Sequence, residues 1–124
     1  MKKMVKVMKA LSDPSRLKIM KALQMRTMCV CELQYTLSLA QSSISKHLKI
    51  LEDAELVVSR KDGLWVNYSL ADSPENPYAS DMLNLLVPWL ESAPGFEDMM
   101  DRVKTADRQF LTRNLFFFHP EIAE

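Results

Sequence analysis

Glycine is almost missing from this sequence, with two residues among 124. That scarcity excludes glycine-rich phosphate loops and long flexible linkers, and it disfavours a sheet fold built on many tight turns. No apolar run approaches the roughly 20 residues that a membrane-crossing helix needs. The start Met1-Lys2-Lys3 is basic, but Lys6 and Lys9 interrupt the next stretch, so no signal-peptide core forms. The two cysteines, Cys29 and Cys31, are too close in sequence to staple distant segments. A disulfide-stabilised secreted module is therefore a poor reading, and a reducing cytoplasm is the expected compartment. Catalytic constellations are missing as well. Neither His47 nor His119 has a histidine four residues away, and no nucleophile–base pair, carboxylate dyad or cofactor loop can be assembled, so an enzyme is not expected.

What is present is one domain's worth of chain, read as a single unit over 1–124, with charge unevenly placed. Net charge is zero, yet residues 1–70 hold 12 Lys and Arg against 6 Asp and Glu. Residues 71–124 hold 4 against 10. A basic first half in a neutral protein points to an anionic partner for that half alone. The acidic second half must face away from such a partner or serve assembly.

The pattern is mainly helical. Met4, Val5, Met8 and Leu11 recur at helical spacing, giving a first helix ending near Leu11. Ser12 or Asp13 can cap a second helix that carries Pro14 at its first position. In it Leu17, Ile19, Met20 and Leu23 form the inner side, and Arg16, Lys18 and Lys21 the wet one. Thr27 to Val30 can pair briefly as a strand before a third helix of about Cys31 to Leu37. A turn through Ser38-Leu39-Ala40 leads to a fourth helix of about Gln41 to Asp53. Taking Ile44 as inward, Leu48 and Leu51 lie within about 40° of it, with Ser42, Lys46 and Lys49 opposite. A short helix, a turn and a longer helix with a basic outer face make a helix-turn-helix.

From Leu56 the period changes to two. Leu56–Arg60 and Leu64–Leu70 read as strands joined through Lys61-Asp62-Gly63, where Asp62-Gly63 is a hairpin turn signal. A hairpin directly after a helix-turn-helix is a wing. Asp72 to Pro77 then breaks regular structure. The next helix spans about Tyr78 to Leu90, with Pro88 expected to kink it, and a last helix from about Phe96 to Asn114 carries Met99, Met100, Val103, Ala106, Phe110 and Leu111. These helices (about 78–114) carry more apolar surface than so small a head can cover, which favours burial against a second copy.

The residues suited to duplex DNA are Gln41, Ser42, Ser43, Ser45 and Lys46 at the start of the fourth helix. Gln can bond adenine bidentately, Ser adapts, and Lys serves guanine or phosphate. Lys49 further along suits phosphate, as do Arg60 and Lys61 on the wing. Taken singly, each lysine can equally be a solvated surface charge; the coincidence of all the features favours DNA. His47 lies about 60° from Ile44, toward the apolar face, and reads as a packing or hydrogen-bonding residue.

Cys29 and Cys31 sit where the third helix begins, and a helix N-terminus stabilises thiolate. Two neighbouring thiolates suit soft ions such as trivalent arsenic or antimony, cadmium, lead or mercury. Positions i and i+2 of a helix diverge by about 160°, so joint binding requires an extended or partly unwound helix start. Metalation would then distort the segment just before the recognition helix and shift the DNA-bound population. Two small buried residues, or a redox pair, are the competing readings.

These stretches together resemble the ArsR/SmtB family of winged-helix repressors: Leu11-Ser12-Asp13-Pro14-Ser15-Arg16-Leu17-Lys18-Ile19, Cys29-Val30-Cys31-Glu32-Leu33, Gln41 to Leu51, and Lys61-Asp62-Gly63-Leu64-Trp65-Val66. The resemblance is close over roughly residues 5 to 70 and looser beyond. It implies a homodimer built through N- and C-terminal helices, binding operator DNA until an inducer weakens that hold. It also implies Cys29 and Cys31 as ligands of an arsenite-type sensor with no permanently bound cofactor and As(III) or Sb(III) as inducer. Gln34 stands where a third cysteine is frequent, leaving the third coordination position open. No cysteine-bearing N-terminal extension of the cadmium/lead branch is present, and Asp98, Asp101 and Asp107 lack the histidines of the zinc/nickel branch. Glu55 replaces a usual glycine after the recognition helix, and Ala40 replaces a usual hydroxyl cap. The expectation is a metalloid-responsive repressor, the alternative a winged-helix regulator answering to an organic metabolite or to thiol oxidation.

Overall fold

Capping and apolar spacing account for most helix boundaries in the structure, a computed structural model that describes residues 1–113. Helix α1 spans Lys2–Leu11 and α2 Pro14–Met25. Between them, Asp13 caps α2 by accepting the Arg16 amide at 3.4 Å, and Pro14 opens the helix where no donor is needed. Strand β1 is Met28–Cys29, succeeded without a break by α3, Val30–Leu37, and then by α4, Gln41–Asp53. Ile44, Leu48 and Leu51 of α4 are fully buried, as their spacing predicts, against Ile19 and Leu33 among others.

The wing consists of β2, Val57–Asp62, and β3, Trp65–Leu70. Its turn lies at Gly63-Leu64, one residue beyond the expected Asp62-Gly63, because Asp62 still pairs with Trp65. Only Gly63 needs a positive φ there, +61°. The hairpin is also wider than a plain wing: β1 adds to β3, giving an antiparallel sheet in the order β1-β3-β2. In that register Met28 lies opposite Tyr68 and Cys29 opposite Asn67.

Helix α5 runs Pro77–Ser92, capped by Asn76, whose Oδ1 accepts the Tyr78 amide at 3.0 Å. It continues through Pro88. Proline there removes one backbone donor, and side chains from α2 bind carbonyls of the helix's last turns, where no intrahelical donor follows the final residues. Gln24 Nε2 donates to Val87 O at 3.2 Å, and Lys21 Nζ to Leu90 O at 2.7 Å. Lys21 is thus not on the wet side of α2: it is 7% exposed, with Phe96 under its ammonium group at 5.9 Å.

The expected last helix is two helices, α6 at Glu97–Thr105 and α7 at Arg108–Arg113, and its expected end, Asn114, lies outside the described residues, as does His119. The chain is extended at Ala106, and Asp107 Oδ1 accepts the Gln109 amide at 3.0 Å. The break rotates Phe110 outward, while Met99, Val103, Ala106 and Leu111 stay buried. In α1 the inward residues are Val7 and Ala10, and the expected stripe is partly outward, with Val5 and Met8 exposed. No helix among the described residues is long and apolar enough to cross a membrane.

Candidate nucleic-acid interface and thiol site

Helix α4 is held by its apolar face, so its polar face is free. Gln41, Ser42, Ser45, Lys46 and Lys49 are exposed and Ser43 is half-buried. No side chain caps the helix at Ala40, and the preceding Ser38 adopts the left-handed conformation that ends α3, with φ +57°. The first amides of α4 accordingly have no side-chain cap at the N-terminal residue, next to the Gln41–Ser43 segment. Lys46 stands clear, whereas Lys49 is already paired with Asp53 at 3.1 Å one turn on.

A brace sets the position of this helix. Arg16 Nε donates to Ala10 O at 2.7 Å, Nη2 to Lys9 O at 3.1 Å, and Nη1 lies 3.2 Å from His47 Nδ1. A guanidinium cannot accept, so His47 Nδ1 is the acceptor and the ring proton sits on Nε2. Asp13 Oδ2 is 4.0 Å from the same nitrogen. His47 is therefore a hydrogen-bonding residue that ties α4 to the α1–α2 corner, and Arg16 is half-buried in that corner.

On the wing, Arg60 and Lys61 are both exposed, but strand alternation turns them to opposite faces. Lys61 shares its face with Ser59, whose Oγ donates to Glu52 Oε2 of α4 at 2.6 Å. Arg60 shares the other face with Asp62, Asn67 and Trp65. Only Lys61 is on the side from which α4 approaches the sheet.

The same alternation turns Cys29 toward the Asn67 face. Cys29 is the N-cap of α3, with extended backbone (φ −88°, ψ 173°), so the helix begins one residue after it. That extended start removes the divergence of an i, i+2 pair within a helix: the sulfurs of Cys29 and Cys31 are 3.1 Å apart, both unoxidised. Cys29 is 2% exposed and Cys31 half-buried. Glu32, the N3 residue, completes a reciprocal capping box by accepting the Cys29 amide at 3.0 Å through Oε1. The two thiols share a hydrogen bond; this bond, with burial second, pushes Cys29 well above the ordinary thiol range. The same bond lowers Cys31. Cys31 is thus the sulfur that carries negative charge more readily.

Glu32 is not available as a ligand, because its Oε2 accepts Arg26 Nη1 at 3.1 Å. Among the described residues no cluster of three or more His, Cys, Asp or Glu could hold a metal ion. The site therefore offers two sulfurs and, among the described residues, no third ligand of these types.

Two clusters beside this site have no counterpart in the sequence reading. Arg26 Nη2 donates to Val103 O at 3.1 Å and to Ala106 O at 2.7 Å, closing the end of α6. Arg108 Nη1 donates to Asn67 Oδ1 at 3.1 Å and Nη2 to Asp62 Oδ2 at 2.8 Å, with the guanidinium 4.3 Å from the Trp65 ring centre. The Arg108 bond and charge hold the Asp62 carboxyl below the usual range. The partners lie 77, 80, 41 and 46 residues apart, so no local motif announces them. Only Glu32, three residues after its cap, left a local signal.

A basic recognition helix seated after a short helix and turn, with an antiparallel hairpin behind it, defines a winged helix-turn-helix DNA-binding regulator of transcription, a class without enzymatic activity. Residues 13–59 match the family model described as bacterial regulatory protein, arsR family. The chain is 43% identical over 76 residues to the arsenical resistance operon repressor of Bacillus subtilis, covering 60% of this chain and 72% of that protein. It is 43% identical over 70 residues to the transcriptional repressor SmtB homolog of Synechocystis, covering 56% of this chain and 53%, about half, of that relative. Among solved structures, NolR of Sinorhizobium fredii superposes with a TM-score of 0.60 at 27% identity, over 74% of this chain and 88% of that one. The chain belongs to the arsR family of bacterial regulatory proteins.

Proposed function

We propose that this protein is a metalloid-responsive transcriptional repressor that holds operator DNA as a homodimer and releases it when As(III) or Sb(III) binds Cys29 and Cys31. The observation that carries the reading is the pair of sulfurs 3.1 Å apart on an extended N-cap. Binding needs no redox step. Arsenous acid, As(OH)3, exchanges two of its hydroxyls for the two sulfurs and releases two waters as the thiol protons leave with them. The third arsenic bond stays with hydroxyl or an external thiol. The name of the Bacillus subtilis relative, a repressor of an arsenical resistance operon, supports the same ligand class.

On the DNA side, Gln41, Ser42, Ser43, Ser45 and Lys46 read base edges and the nearest phosphates. Lys49, Arg60 and Lys61 serve the backbone, Lys49 after exchanging Asp53 for phosphate. Ligand exchange at the sulfurs removes the S–H···S bond and reshapes the start of α3, which shares the core with α4 through Leu33 and Ile44. Release occurs if the reshaped state binds DNA less well, typically by about 5- to 150-fold for such coupling. The test is a double Cys29→Ser/Cys31→Ser protein in an operator-binding titration. It should bind operator like the parent and lose its response to arsenite; an undiminished response would refute the sensor assignment. Release by an oxidant or an organic ligand, with none by arsenite, would replace the reading with its alternative.

A further inference from the structure

Arg108 stands where three parts of the molecule meet. Its guanidinium bonds Asn67 and Asp62 and covers Trp65, so it grips one face of the wing. Asn67 is the register partner of Cys29, so the same face carries the first sulfur of the dithiol. The backbone on the other side of Arg108 is tied to the thiol site by a second route. Cys29 N–H is held by Glu32, Glu32 by Arg26, and Arg26 by the carbonyl of Ala106, two residues before Arg108. Tyr35 Oη to Thr105 Oγ1 at 3.0 Å and Arg102 Nε to Thr36 O at 2.8 Å pin the same segment to α3. Arg108 is therefore anchored at its backbone to the helix that bears the thiols and at its side chain to the wing.

From this closure we infer that Arg108 is a positioning residue that transmits occupancy of the Cys29–Cys31 pair to the DNA-facing wing. The inference rests on the dithiol binding site proposed above. A bound arsenic and its third substituent must be accommodated beside the sheet face that Arg108 covers. Either the guanidinium yields, freeing the hairpin, or the Glu32–Arg26 contact shifts and moves the α6–α7 junction with it. Both outcomes loosen the grip on Asp62 and Asn67. Because Arg60 shares the latched face and Lys61 follows it on the opposite face of the same strand, a looser wing presents its cations less consistently to a phosphate backbone. The two responses are biases on one element, so they are read at that element.

The probe is phenylarsine oxide, which adds to two thiols to give a phenyl dithioarsinite and one water, without an oxidant. Its uptake is counted by loss of free thiols, and the wing is monitored by amide hydrogen exchange of peptides within 57–70. In the parent, the probe should accelerate exchange in this segment. In Arg108→Gln, exchange should start faster and gain little on adding the probe, although uptake is unchanged. Arg108→Lys, which keeps the cation over Trp65 but not the two-pronged bond, should recover part of the response. A purely structural role would not show that graded return. An Arg108→Gln wing that responds as the parent's does, or a parent wing that does not respond, overturns the inference. Operator release separates it from the function it builds on. If arsenite releases Arg108→Gln as fully as the parent, the transmission is wrong and the sensor stands. If the wing responds through Arg108 but arsenite releases neither protein, the transmission stands and the sensor reading falls. Failure of the probe to bind the thiols sinks both.

Discussion

Cys29 and Cys31 differ in every property that governs thiol chemistry, though one residue separates them. Cys29 is buried and held above the ordinary thiol range; Cys31 is half-buried and held below it, the hydrogen bond between the two sulfurs being the leading cause of both shifts. Since only the thiolate is nucleophilic, iodoacetamide should alkylate Cys31 first. As pH rises, Cys31 reactivity should appear below the pH expected of a free thiol, and Cys29 should react only at much higher pH. Peptide mass mapping of the product at successive pH values checks the order, and equal or reversed labelling would refute this ordering of the two thiols. Stability is the poorer readout of this pair. A lowered acid group contributes stability above its unfolded pKa that is lost as pH falls through the folded value. A raised one contributes stability below its unfolded pKa that is lost as pH rises, so the two oppose each other. The pairing itself was only half legible in the residues. Spacing exposes the conflict between a helical i, i+2 pair and a shared ligand, but the resolution lies in Cys29 serving as an extended N-cap, which depends on its pairing with Asn67 across a tertiary strand contact.

At the scale of elements, the helices with strong caps or a clean apolar stripe were legible: Asp13-Pro14 opens α2 and the Ile44, Leu48, Leu51 face defines α4. The last helix was not, because apolar residues continue at helical spacing across the Ala106-Asp107 break, and the signal for a new start, Asp107 as a capping acceptor, is a single residue. Lys21 was misplaced for a related reason: its partner is a carbonyl 69 residues away that α5 presents only after folding. Glu55 shows the opposite case, a departure visible in the residues whose remedy lies in the structure. It ends α4 with φ +63°, a conformation that costs a non-glycine residue about 1–2 kcal/mol. Its Oε1 accepts the amides of Glu75 and Asn76 at 2.9 and 3.1 Å, joining that strained corner to the start of α5. Glu55→Ala keeps the strain and loses both bonds, so it should destabilise the fold by about 2 kcal/mol. Glu55→Gly loses the bonds but also relieves the backbone, and should lie roughly 1 kcal/mol above the alanine variant and below the parent. Urea unfolding gives the order, and a glycine variant at least as stable as the parent would show that the carboxylate bonds contribute no more than the strain that glycine relieves.

At the scale of the molecule, Leu64, Val58 and Val66 of the wing, Met25 of α2 and Phe110 of α7 are exposed singly, whereas a continuous apolar stripe lies on two packed helices. Tyr78, Leu85 and Trp89 are exposed along one stripe of α5, with half-buried Met82 between them, and Val5 and Met8 are exposed on α1. Positions 78, 82, 85 and 89 lie within about 60° of one another on the helix, the geometry of a continuous seam rather than of scattered surface residues. A second copy is the occupant proposed for that seam, and its consequence for DNA is quantitative. Two recognition helices double the phosphate contacts, and each neutralised phosphate contributes about −0.9 to the slope of log affinity against log salt. Lys46→Ala should therefore flatten the slope by about 2 in a dimer and by about 1 in a monomer, while Lys49→Ala should do less because Asp53 already competes for its charge. Leu85→Glu places a charge in the middle of the seam and should shift sedimentation equilibrium toward the monomer. If the seam is the dimer contact, the Lys46→Ala effect measured on top of Leu85→Glu should fall from about 2 to about 1 as affinity drops. A Leu85→Glu protein that stays dimeric with an unchanged salt slope would show that the copies meet elsewhere, and would leave the α5 stripe to another partner.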